Sequence, residues 1–147
     1  MHLARLALIP LAVVLVAACS SGSGATASSA PSASPASTRI EVNLTDALRM
    51  EPEQMTVQAG VPVTFVVTNT GAADHEFFLG DETAQMAHED EMSMGGMGHD
   101  EPDGITVKPG ETKELTHTFD AAGQTIAGCH LPGHYGGGMK ASVTVTN

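Results

Sequence analysis

The chain has 147 residues, of which 17 are Asp or Glu and 6 are Lys or Arg, for a formal net charge of -11. That balance excludes nucleic acid as a partner and favours cationic protein surfaces or metal cations. Without its unusual N-terminus the chain keeps about 110 residues, with no tryptophan and one tyrosine, enough for one small domain with one core.

The first residues read MHLARLALIPLAVVLVAACSSGSG. Arg5 precedes an apolar run over 6–18, shorter than the about 20 residues of a transmembrane helix and suited to a secretion signal. The run ends in Val16-Ala17-Ala18-Cys19, which resembles a bacterial lipobox. The resemblance implies cleavage before Cys19 and a diacylglyceryl group on its sulfur; an ordinary signal peptide containing a cysteine is the alternative. Two acyl chains anchor a protein stably. The expected location is therefore the outer face of the cell membrane, or the periplasmic side of a membrane in a two-membrane cell. Residues 1–18 are assigned to the signal and 19–37, uncharged and rich in Ser, Ala and Pro, to a flexible tether. Residues 38–147 form the expected domain.

Within that domain the apolar period is two. Alternating stretches fall at 40–44 (IEVNL), 55–58 (MTVQ) and 61–69 (VPVTFVVTN), followed by a short aromatic one at 75–80 (HEFFLG). Others follow at 104–107 (GITV), 111–119 (ETKELTHTF), 124–129 (QTIAGC) and 139–147 (MKASVTVTN). Val63, Phe65 and Val67 share one face, as do Ala141, Val143 and Val145. Leu115, His117 and Phe119 also share a face, so His117 reads as an inward histidine. Short alternating strands separated by Gly and Pro predict an all-β antiparallel sandwich, a barrel being the alternative. Only residues 45–50 offer a helical turn among these strands. The stretch from Gly80 to Pro102 is long for a loop and combines carboxylates with Met86, His88, Met92, Met94, Met97 and His99. It reads as an acidic surface excursion with a helical turn near 82–91, or as an auxiliary copper(I) site, since clustered thioethers select that ion.

Near the C-terminus GCHLPGHYGGGM places Cys129, His134 and Met139 at intervals of five. With Cys19 lipidated, Cys129 has no disulfide partner, and a free thiol in an oxidising compartment survives best when occupied. One thiolate, two imidazoles and a weak axial thioether form the ligand set of blue-copper electron-transfer sites. A core residue opening the last strand is the alternative reading of Met139. The second imidazole must come from elsewhere, and His75, at the start of a strand, is the candidate. His130, next to Cys129, is expected to point away from the metal.

MTVQAGVPVTFVVTNTGAADHEF, VKPGETKELTHTF and GCHLPGHYGGGMKASVTV resemble, in order and spacing, the cupredoxins of the plastocyanin/azurin type. The resemblance covers residues 40–147. It implies a Greek-key β-sandwich with one type 1 copper at one end, bound by His75, Cys129, His134 and Met139, with His134 passing the electron. Many members carry Asn immediately after the first ligand histidine; Glu76 stands there in this chain. No second copper domain and no His-x-His pairs suited to an oxidase cluster are evident. The expectation is a monomeric electron carrier or copper-binding protein, not an enzyme, that meets redox partners or copper-accepting proteins through cationic surfaces. The alternative function is copper delivery or buffering through the Met/His-rich segment.

Overall fold

The computed structural model describes residues 38–147 apart from Met97 and His99. The signal, the tether and Cys19 therefore lie outside the described residues, as do two members of the Met/His-rich segment. Nine strands are described: β1 (Thr38–Thr45), β2 (Arg49–Glu51), β3 (Gln54–Gln58), β4 (Val63–Asn69), β5 (His75–Gly80), β6 (Gly104–Val107), β7 (Thr112–His117), β8 (Gly123–Gly128) and β9 (Lys140–Thr146). They form two sheets, ordered β2-β1-β4-β7 and β3-β9-β8-β5-β6. No helix among the described residues is long and apolar enough to cross a membrane.

The alternation read from the sequence is observed most cleanly in β3 and β9, whereas β5 is buried on both faces from His75 to Leu79. Val63, Phe65 and Val67 of β4 are buried, as are Ala141, Val143 and Val145 of β9. The Phe65 and Phe77 rings meet across the sheets with centroids 5.2 Å apart. His117 ends β7, packs on Phe119 at 4.4 Å and pairs with Asp103 at 3.1 Å.

Three features differ from the expectation. The sheets are mixed rather than wholly antiparallel, because β1 runs parallel to β4 and β3 parallel to β9. The cause is connectivity: β3 lies in the opposite sheet, so the chain leaves one layer between β1 and β4 and returns in the same direction. Residues 46–48 make a turn rather than a helical one, with Leu48 at φ 56, and lead into β2. Finally, the helical turn expected near 82–91 is a full helix, α1 (Glu82–Ser93), in place of much of the expected loop. Asp81 caps it by accepting from Ala84 N–H at 2.9 Å, satisfying one of the donors that a helix start leaves open.

Candidate metal centre

Neighbouring strands of the larger sheet deliver the expected ligands to one end. β5 begins at His75, while Phe78 stands opposite Gly128 and Gly128 opposite Lys140. Cys129 N–H donates to Met139 O at 3.2 Å, which extends the β8–β9 ladder by one rung. Between these rungs the loop folds back on itself. His134 N–H donates to Leu131 O at 2.9 Å and His134 O accepts from Met139 N–H at 3.0 Å. Gly138 adopts φ 96, a left-handed turn that a side chain would strain.

The loop closure brings three donor atoms together. His75 Nδ1 lies 3.3 Å from His134 Nδ1, and His134 Nδ1 lies 3.3 Å from Cys129 Sγ. All three ligand atoms are within 4.8 Å of one another. Two imidazole nitrogens each about 2 Å from one tetrahedral ion would stand roughly 3.3 Å apart, so the nitrogen spacing is that of two ligands sharing a metal. His75 and Cys129 are fully buried, and His134 is half-buried. Met139 is fully buried in the same apolar cluster as Cys129.

The apo protonation states suit metal uptake. Burial, and then the neighbouring His75, hold the His134 imidazole below its usual range, leaving a lone pair free at neutral pH. Burial pushes the Cys129 thiol up to about 11, with N–H groups of Leu131 and Glu76 opposing it. A metal must therefore displace a proton from sulfur.

Glu76 answers for the asparagine that many relatives of this type carry. Its N–H donates to Cys129 Sγ at 3.3 Å. Its buried carboxylate accepts from His130 N–H at 3.0 Å and faces His88 Nε2 at 3.0 Å. The bracing of the cysteine loop is thus done by a carboxylate, which also reaches α1. His130 does turn away from the donor cluster: Nε2 meets Gln85 Oε1 at 2.6 Å and Nδ1 meets Glu89 at 2.7 Å.

The auxiliary residues divide between the two faces of α1. His88 and Met92 are buried, His88 being stacked on Phe78 at 4.1 Å. Met86, on α1, and Met94, at its C-terminal cap, are 62% and 83% exposed, roughly 12 Å apart along the axis. The described members are thus spread along and around the helix rather than gathered at one point.

Sequence reasoning missed Asp46, whose Oδ1 is 3.3 Å from His75 Nε2. Hydrogen bonds from Ala72 and Ala73 N–H hold its carboxyl below the usual carboxylate range. It also missed Gln85, whose Nε2 donates to the carbonyls of Phe78, Gly80 and Ile126. No local signal marks either residue, because both contacts depend on strands distant in sequence.

Residues 36–146 match the family model of copper-binding proteins, plastocyanin/azurin family. The chain is 38% identical over 106 residues to the copper-resistant cuproprotein CopI of Vibrio cholerae, covering 71% of this chain and 63% of that one. It is 36% identical over 107 residues to the CopI of Rubrivivax gelatinosus, covering 72% and 65%. It thus spans slightly under two thirds of the length of these curated relatives. Among solved structures, auracyanin A from Chloroflexus aurantiacus, described as a "blue" copper protein, aligns with a TM-score of 0.63 at 27% identity over 74% of this chain and 98% of that one. The chain therefore belongs to the plastocyanin/azurin family of copper-binding proteins, with copper as its cofactor.

Proposed function

We propose that His75, Cys129 and His134 would hold one copper ion, with the Met139 thioether as a further weak donor, in a type 1 centre that serves copper handling at the cell surface. One observation carries the ligand assignment: His134 Nδ1 lies 3.3 Å from both His75 Nδ1 and Cys129 Sγ, bringing the start of β5 and the C-terminal loop to one point. Among the described residues no other set of three His, Cys, Asp or Glu ligand atoms is so gathered. Bound copper supplies a one-electron couple. The chain contributes dryness, through complete burial of His75, Cys129 and Met139. It contributes constancy of geometry, through the sheet ladders that fix both ends of the ligand loop. It contributes one way in or out, the partly exposed His134.

A role in copper handling draws on the name of the relatives, copper-resistant cuproprotein. Electron carriage between redox partners is the second reading, favoured by the partial exposure of His134 and by the likeness to auracyanin A. Either role is binding rather than catalysis. The acidic chain, with Glu82, Asp90 and Glu91 exposed on α1, suits cationic partner surfaces, and the protein acts as a monomer. Cys19 bears the lipid that holds it outside the cell. A Cys19→Ala chain should leave the membrane fraction, and one that stayed bound would defeat the anchor.

The test of the centre is spectroscopy of the copper-loaded protein at measured stoichiometry. One tightly bound copper(II) should give an intense thiolate-to-copper band that Cys129→Ser abolishes. A colourless copper(II) complex would defeat the type 1 reading. Binding of further copper(I), lost when Met86, Met92 and Met94 become Leu, would favour handling. Strict one-to-one binding would favour electron carriage.

A further inference from the structure

Asp46 lies in the turn between β1 and β2, remote in sequence from every proposed ligand. Its Oδ2 accepts from Ala72 N–H at 2.7 Å and its Oδ1 from Ala73 N–H at 3.1 Å. These bonds pin the carboxylate against the turn that leads into β5. The same Oδ1 stands 3.3 Å from Nε2 of His75. That nitrogen is buried and has no well-aligned hydrogen-bond partner, so this carboxylate is the acceptor within reach. Room for the approach comes from Gly71. A Cβ there would run into Asp46 Oδ1 and come within 3.0 Å of His75 Nε2.

From this juxtaposition we propose that Asp46 is a positioning residue for copper, orienting His75 and biasing the centre toward copper(II). The proposal rests on His75 being a ligand through Nδ1. A neutral imidazole carries one proton, so a metal on Nδ1 leaves that proton on Nε2. A buried N–H needs an acceptor, and Asp46 Oδ1 faces it. The pairing fixes the tautomer and the ring plane and strengthens Nδ1 as a donor, as carboxylates do behind metal-bound histidines. A fixed negative charge also attracts a doubly charged ion more than a singly charged one.

Loss of such a partner typically weakens metal binding by about 10–100-fold. Asp46 is half exposed, and water screens its charge, so the lower end applies. In the full chain, Asp46→Asn should weaken copper(II) binding about tenfold, measured by competition with nitrilotriacetate. Copper(I) binding, measured against bathocuproine disulfonate, should change little. The reduction potential should then rise by about 59 mV, the one-electron equivalent of tenfold. Gly71→Ala keeps every charge but displaces the carboxylate, and should shift both readouts in the same direction. Melting of the apo forms separates positioning from folding. Unchanged copper(II) affinity and potential in both variants would overturn the proposal. So would equal weakening of both oxidation states accompanied by a lowered apo melting temperature, the mark of a purely structural role. A wild-type protein lacking the thiolate–copper band would instead overturn the ligand reading on which the proposal stands.

Discussion

Glu76 is a buried carboxylate with three tasks. Its backbone N–H meets the Cys129 sulfur, one carboxylate oxygen takes the N–H of His130, and the other faces His88. A buried carboxylate is a weak source of net stability, but removing it strands the buried groups that face it. Glu76→Ala should therefore cost the apo protein about 3 kcal/mol, leaving His130 N–H and His88 Nε2 without their acceptor. Glu76→Gln retains an acceptor oxygen for His130 but turns an amide toward His88, and should cost about 1 kcal/mol. Urea unfolding of the apo forms measures both. Equal losses in the two variants would show that charge, not acceptor geometry, is what Glu76 contributes. The identity of Glu76 was visible in the sequence, but its partners were not, because His88 and His130 reach it from a helix and a loop 12 and 54 residues away.

The helix α1 shows why a segment can be half legible. Its Asp81 cap and unbranched residues are helix signals. Its inward face, however, is Gln85, His88 and Met92, two polar residues where an apolar stripe would ordinarily stand. The helix is held by side-chain amide and imidazole bonds as much as by apolar burial, and hydrophobic periodicity has little to report. Gln85 shows the mechanism most clearly. Its Nε2 takes carbonyls from both β5 and β8, so its Oε1 is left facing His130 Nε2, which must donate. The helix thereby ties two strands to the residue that follows Cys129. Most strands were readable to within two residues at each end, because burial on one face imposes a period of two, as in β9. The exception is β2, three residues long, with Met50 alone turned inward, too short to show any period.

At the scale of the molecule, the β-sandwich was legible in the strand pattern and its Greek-key form in the family resemblance, and Cys129, His134 and Met139 could be singled out because they share one loop. His75 was a candidate only by its place at the start of a strand, and the fold had to bring it to the loop. Asp46 required the fold itself, because only the assembled layers set the β1–β2 turn against the start of β5. This assembly also implies that the site is organised before copper arrives. Its donors are positioned by sheet ladders and loop bonds within the protein, whereas metal-dependent folds collapse without their ion. Apo and copper-loaded protein should then share one far-ultraviolet circular dichroism spectrum, while copper raises the melting temperature by mass action. Free copper at 100 times Kd contributes about 2.7 kcal/mol. The thiol adds a pH dependence of defined sign. Its folded value of about 11 exceeds its ordinary 9.0, so the apo chain holds this proton more tightly when folded. Below pH 9 both states keep it and apo stability is flat on this account. Between pH 9 and 11 the unfolded state releases it first, and apo stability declines. Copper(II) binding expels the same proton, so affinity should climb about tenfold per pH unit from this group below pH 9, once His134 is neutral. A copper(II) affinity independent of pH between 7 and 9, after correction for buffer competition, would mean that the sulfur of Cys129 is not the atom that copper displaces the proton from.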